Sequence, residues 1–163
     1  MSETENIQVL DRLTDSVDDI LTLSNSTDEL MNETVDVSMV CAEVCDMYCK
    51  SYPALTFSFD EKSSTIILAK QRWIYRAISN LVDNAIKYGN QQPVHISVEK
   101  KKESIVVKIK DLGKGIDPSV HEAIFKHKYR INGLKQDGYG IGLSVASHVC
   151  DLCQGFVYVE NNE

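Results

Sequence analysis

The stretch from Lys70 to Gly89 dictates much of what this chain can become. Trp73, Ile74, Ala77, Ile78, Leu81, Val82, Ala85 and Ile86 recur at spacings of three and four, which predicts a helix over roughly 70–88 with a wide apolar face. Gly89-Asn90 is the expected left-handed stop. A face of that width must be buried against another layer, and the flanking segments have the period of strands. LTFSF (55–59) and STIILA (64–69) are rich in β-branched and aromatic residues around a turn-like 60–63, which predicts two antiparallel strands. VHISVEK (94–100) and SIVVKIKD (104–111) alternate in and out around a solvated KKKE turn, a second hairpin. TVDVS (34–38) reads as an edge strand, Met39–Tyr48 as a helix closed by Pro53, Leu143–Leu152 as a helix, and GFVYVEN (155–161) as a last strand.

Composition narrows the class. With 43% of 163 residues apolar and 25% charged, the chain is that of an ordinary globular protein, with one domain as the default and no need of disulfides to hold a core. No apolar run approaches the roughly 18 residues of a membrane span, and MSETENIQVLDR is acidic where a signal peptide is basic, so the expected location is the cytoplasm. The five cysteines are expected to be reduced: Cys41, Cys45 and Cys49 form one helical stripe, and a metal site would need a fourth ligand. Net charge is −7, yet residues 1–60 hold 13 acidic and two basic side chains, against 11 acidic and 15 basic in 61–163. An acidic chain is poorly suited to wrapping nucleic acid, whereas its mildly basic later part suits a small anionic ligand such as a nucleotide. Leu10, Leu13, Val17 and Ile20 are spaced as on an amphipathic or coiled-coil helix running to Leu30, which needs a partner helix or its own copy.

Three motifs carry chemistry. SNLVDNAIKYG places Asn80, Asn84, Lys87 and Tyr88 on one helix face, opposite the apolar one. DLGKG sets Asp111 at a strand end before Gly113 and Gly115, where a carboxylate can accept from an exocyclic amine and bare backbone can approach a flat ring. GYGIGLS opens a helix with Gly138, Gly140 and Gly142, an arrangement whose free amides suit phosphate. Asp117-Pro118 reads as the start of a short helix through Phe125, and residues 126–142 have the aperiodic look of a mobile loop. Taken singly, each has a plainer reading: internally bonded amides, a common turn, a glycine cluster. Their order and spacing in one array is what excludes coincidence.

With IFKHKYR between the last two, the set resembles the N, G1, F and G2 boxes of the catalytic and ATP-binding domain of sensor histidine kinases, in the GHKL superfamily. The resemblance covers about residues 34–160 and implies an α/β two-layer sandwich, the Bergerat ATP-binding fold with a mixed sheet, preceded by one amphipathic helix. It divides the chain into 1–33, the second helix of a dimerisation hairpin, and 34–163, the ATP-binding domain, expected to lack the family's final strand. It implies ATP and Mg2+ as cofactors, with Asn84 holding the metal and Asn80 beside it, Lys87 meeting phosphate, and Tyr88 packing near sugar and base. Asp111 would accept from the adenine amine, and Gly113, Gly115 and Ile116 would line the ring. Lys126, Lys128 and Arg130 are the implied phosphate cations, and Gly138, Gly140, Gly142 and Leu143 the hinge and phosphate cradle. Asn80 and Lys87 are the implied catalytic pair.

The implied activity is transfer of the γ-phosphoryl of ATP to a histidine. ATP-hydrolysing relatives resemble this box with glutamate where Asn80 stands, and an amide cannot take a proton from water. None of His95, His121, His127 and His148 has the context of the family's acceptor, an acidic residue at once and then an arginine two further on, so the acceptor is expected on a hairpin helix outside this chain. Implied partners are that hairpin, a response regulator receiver domain and a second copy of the full-length protein, with no nucleic acid and no membrane contact by this segment, whether it stands in a cytoplasmic protein or in the cytoplasmic part of a membrane sensor. A GHKL serine kinase acting on a protein partner, and a non-catalytic ATP-binding or interaction module, are the alternatives.

Overall fold

The computed structural model describes residues 31–121, 123–125 and 142–162. Within them the chain runs β1 (Glu33–Asp36), α1 (Val37–Tyr48), β2 (Leu55–Phe59), β3 (Ile66–Ala69), α2 (Gln71–Tyr88), β4 (Val94–Lys100), β5 (Ile105–Lys110), two single 3-10 turns at Pro118–Val120 and Ala123–Phe125, and α3 (Gly142–Leu152). The expected helix before residue 31 and the loop 126–141 lie outside the described residues.

β4 is the middle strand of a mixed sheet in the order β2-β4-β5. It pairs parallel with β2, Leu55 against Val94 through Phe59 against Val98, and antiparallel with β5, His95 against Lys110 through Lys100 against Ile105. Its period-2 pattern is clean: Val94, Ile96 and Val98 are buried and the residues between them are not. Each of these burials stabilises by roughly 1.5–3 kcal/mol relative to an exposed position. The helices supply the second layer. α1 packs on β2 and β4, α2 on α1, α3 and β5, and Trp73, Ile78, Val82, Val145 and Val149 from the helices join the strand residues in one core. The outer sheet face is polar, with the His95 ring within hydrogen-bond distance of Thr56 Oγ1 (2.7 Å) and Ser58 Oγ (2.8 Å) on β2. No helix among the described residues is long and apolar enough to cross a membrane, and all five cysteines are free thiols.

Five expectations need correction. β2 and β3 are not paired with each other: β3 joins β1 in a separate antiparallel ribbon, Glu33 against Ala69 through Asp36 against Ile66, and β2 joins the sheet only through β4. The 34–38 strand stops at Asp36, because that side chain caps α1 by accepting from Ser38 N (3.1 Å) and also accepts from Thr65 Oγ1 (2.6 Å), tying the helix start to β3. The left-handed stop after α2 falls on Asn90 and Gln91 (φ 55° and 59°), while Gly89 keeps φ −78°. The helix through Phe125 is reduced to two 3-10 turns, the first capped by Asp117 accepting from Ser119 N (2.9 Å).

The last strand is also absent from the described residues. Segment 155–162 has no ladder partner; Phe156 and Tyr158 stand 79% and 60% exposed with their rings 5.8 Å apart, and the segment is attached through side chains instead. Alternation of apolar residues makes a segment fit for a sheet, but only a free edge in register makes it a strand.

Candidate functional site

α2 organises the site because its two faces have different tasks. Trp73, Ile74, Ala77, Ile78, Val82 and Ala85 are spent on the core, which turns Asn80 and Asn84 to half-buried positions at its border, with Lys87 and Tyr88 exposed beyond them. At 1.5 Å per residue, Asn80 and Gly89 are about 13 Å apart along the helix.

At the Asn80 end, α2 meets the first residue of α3. A Cβ on Gly142 would lie 3.4 Å from Asn80 Cγ, so the N-terminus of α3, where backbone N–H groups lack intrahelical partners, opens directly beside that amide. Arg76, one turn earlier, donates from Nη2 to Asn80 Oδ1 (3.1 Å) and from Nη1 to Ser79 Oγ (3.4 Å). Sequence reasoning missed Arg76, although its i, i+4 spacing to Asn80 is the signal that could have found it. Leu143 is half-buried and Ser144 buried in the first turn of α3.

Midway, Asn84 is half-buried, and among the described residues no hydrogen bond holds its amide. Lys87 Nζ lies 2.9 Å from Asp83 Oδ2, a pair within the helix, so the lysine expected to meet phosphate also has a carboxylate one turn back.

At the far end the chain after β5 folds against the last turn of α2, and Gly113 makes the approach possible. A Cβ on Gly89 would lie 2.5 Å from the Ala85 carbonyl oxygen and 3.5 Å from Asp111 Cβ; one on Gly113 would lie 2.4 Å from the Tyr88 carbonyl oxygen. The Asp111 carboxylate is thereby set at the end of α2, with Oδ1 accepting from Gly113 N (2.8 Å) and the side chain half-buried. Ile116, at the close of this loop, is bonded through its backbone to Asn161 and to the His121 ring. Nothing in the sequence pattern announced Asn161.

The structure therefore brings Asn80, Asn84, Tyr88, Asp111, Gly113 and Gly142 together along one helix. Lys126, Lys128, Arg130, Gly138 and Gly140 lie outside the described residues.

A family model described as "Histidine kinase-, DNA gyrase B-, and HSP90-like ATPase" matches residues 69–163, from the end of β3 through α2, the Asp111 loop and α3. The chain belongs to that family. Membership supports ATP binding by this domain, and the mixed sheet with helices on one face is the family's α/β fold. Among curated relatives, the adaptive-response sensory kinase SasA of Synechocystis is 31% identical over 96% of this chain and 43% of its own length. The signal transduction histidine-protein kinase ArlS of Staphylococcus epidermidis is 28% identical over 99% of this chain and 38% of its own. The chain thus spans less than half the length of these relatives. Among solved structures, a mycobacterial sensor histidine kinase, MprB, shares the fold at TM-score 0.69 and 21% identity, over 79% of this chain and 85% of that one. ShkA, solved full-length with AMPPNP, does so at TM-score 0.76 and 19% identity, over 95% of this chain and 33% of that one.

Proposed function

We propose that this chain is the ATP-binding and catalytic part of a two-component sensor histidine kinase, which holds Mg-ATP along α2 and passes the γ-phosphoryl to a histidine outside this chain. The observation that carries the reading is the contact at both ends of one helix: Asp111 and Gly113 against the last turn of α2, Gly142 against Asn80 about 13 Å away. A nucleotide laid along that face puts its adenine amine at the Asp111 carboxylate and its phosphates at the N-terminus of α3.

Magnesium suits the donors present. Among the described residues no cluster of three or more His, Cys, Asp or Glu could hold a metal, whereas the Asn84 amide offers one hard oxygen with no competing bond. A small divalent cation held by one or two protein oxygens completes its shell with phosphate oxygens and water. When bound, the metal neutralises phosphate charge. The chain's own residues do the rest by positioning. Asn80, gripped by Arg76 through its oxygen, presents an amide and no base, so water gains no general-base help there. A neutral imidazole needs none: its nitrogen lone pair forms the P–N bond as the bond to the ADP oxygen breaks and the charge leaves on ADP.

His95 is engaged with Thr56 and Ser58 on the outer sheet face, and His121 with the Ile116 carbonyl, which fits neither as acceptor. We assign the acceptor to a dimerisation hairpin, with residues 1–33 as its second helix and 34–163 as the ATP-binding domain. A response regulator, a homodimeric full-length protein and a cytoplasmic location, either free or beneath a membrane sensor, complete the proposal. The lid cations Lys126, Lys128 and Arg130, and the glycines 138 and 140, are proposed to close over the phosphates.

The test incubates the chain with γ-labelled ATP and magnesium, alone and with a hairpin fragment carrying the acceptor histidine. Acid-labile label on the fragment alone, lost with Asn84→Ala, supports the reading. Acid-labile label on His95, His121, His127 or His148 of the isolated chain refutes the acceptor assignment, and acid-stable label on a serine moves the protein to a serine kinase.

A further inference from the structure

Two asparagines grip the loop that carries Asp111, and the family resemblance gives them no task. Asn161 spans Ile116 with both ends of its amide: Oδ1 accepts from Ile116 N (2.9 Å) and Nδ2 donates to Ile116 O (2.7 Å). A primary amide thus supplies the donor and acceptor that a neighbouring strand would otherwise offer one residue. Asn162 Nδ2 donates to Asp111 O (2.7 Å). Adjacent residues therefore hold both ends of a loop whose turn is fixed inside by Gly113 N on Asp111 Oδ1. The fit is close: Gly115 has φ 79°, and a Cβ there would lie 2.9 Å from Asn161 Oδ1. The His121 ring, bonding the Ile116 carbonyl at 2.9 Å, supports the same point from the other side.

We propose that Asn161 and Asn162 are positioning residues for the base end of the nucleotide site, clasping the 111–116 loop into the shape that receives adenine. The proposal rests on the ATP reading above. The loop has no regular secondary structure and none of its residues is buried, so without the clasp a ligand must order it on binding and loses affinity by that entropy. Because the loop stands at the Asp111 end, the loss falls equally on ATP and ADP. The transfer step, set at the Asn80 end, is untouched once nucleotide saturates.

The experiment measures ATP and ADP affinity by calorimetry for the chain and for Asn161→Ala, Asn162→Ala and the double variant. With three hydrogen bonds removed and part of their worth recovered by water, the double variant should bind both nucleotides about tenfold more weakly. Ile116 and Gly113 amides should exchange faster in the free protein, while the rate of label transfer to an added acceptor hairpin at saturating ATP stays that of the unmodified chain. Both side chains are exposed, so the fold should survive, and if the double variant melts, the single variants decide by the same readings. Undiminished affinity in folded variants overturns the clasp, as does a loss confined to ATP with ADP unaffected. An unmodified chain that binds neither nucleotide overturns the ATP reading itself, and the clasp with it.

Discussion

Gly113→Ala is the sharpest probe of how the site is built, because opposing effects of known size meet at one atom. Gly113 does not need a left-handed backbone, since among the described glycines only Gly115 has positive φ. Replacing it with alanine therefore gains about 0.4–1 kcal/mol by restricting the unfolded chain. Against that, the new Cβ would lie 2.4 Å from the Tyr88 carbonyl oxygen and 3.0 Å from Asp111 Oδ1. The first opponent is backbone at a helix end and cannot rotate aside, so the loop must back away from α2 by most of an ångström. Overpacking of this kind costs about 1–3 kcal/mol, which leaves a net loss near 1–2 kcal/mol, or roughly 3–8 °C in melting temperature. The same retreat carries the Asp111 carboxylate away from the nucleotide face, so affinity for ATP should fall more than stability does. Gly155→Ala is the control: its Cβ would meet only the Cys150 carbonyl oxygen at 3.6 Å, an ordinary contact, and should melt within about 0.5 kcal/mol of the original. Differential scanning fluorimetry with and without ATP reads both. A Gly113→Ala protein that melts and binds like the unmodified chain refutes the close packing of loop on helix.

Asp111→Asn should weaken ATP by about 1–3 kcal/mol, because the amide can set a donor against the adenine amine; calorimetry giving equal affinity for the two proteins, or for GTP and ATP, sinks the adenine assignment. Trp73 is fully buried and its Nε1 has no hydrogen-bond partner among the described residues, so Trp73→Phe should cost under about 1.5 kcal/mol, where Trp73→Ala costs about 3–5; urea melts that rank the two equally contradict this. Burial pushes the Cys41 thiol up to about 12 and the Cys150 thiol up to about 11, so the reactive thiolate forms only as pH rises toward those values. Both should stay unalkylated at pH 8 in the folded chain and react once it is unfolded, as peptide mass spectrometry will show.

How much of this was written in the sequence differs by kind of feature. The helix at 71–88 and the strand spans 55–59 and 94–100 follow from period alone, and the structure places them there. Partners do not follow from period. β2 and β3 are separated by a turn-like stretch, which invites a hairpin, yet β2 pairs in parallel with β4, a partner 39 residues on, and β3 returns to β1. Nothing local distinguishes these arrangements; the choice is made where α2 docks and which edge it leaves open. The site divides in the same way. Asn80 and Asn84 announce themselves because two amides a turn apart in an otherwise apolar helix need a reason, and Asp111 because it stands at a strand end before two glycines. Asn161 and Asn162 stayed invisible, because a side chain bonded to the backbone of a loop 45 residues earlier leaves no periodic trace.

The last turn of α2 has one more consequence. The Tyr88 carbonyl there faces Gly113 of the Asp111 loop, so this end of the site combines the electronegative end of a helix with a full carboxylate charge. The other end is the electropositive start of α3. A charged rod entering the groove therefore meets opposite fields at its two tips, each helix end contributing about 0.3–1 kcal/mol. Turned the wrong way, it exchanges attraction for repulsion at the anionic tip before any contact of shape is made. The groove has a direction, as a battery compartment does, and a nucleotide would be turned tail-first toward α3 while still sliding along the helix.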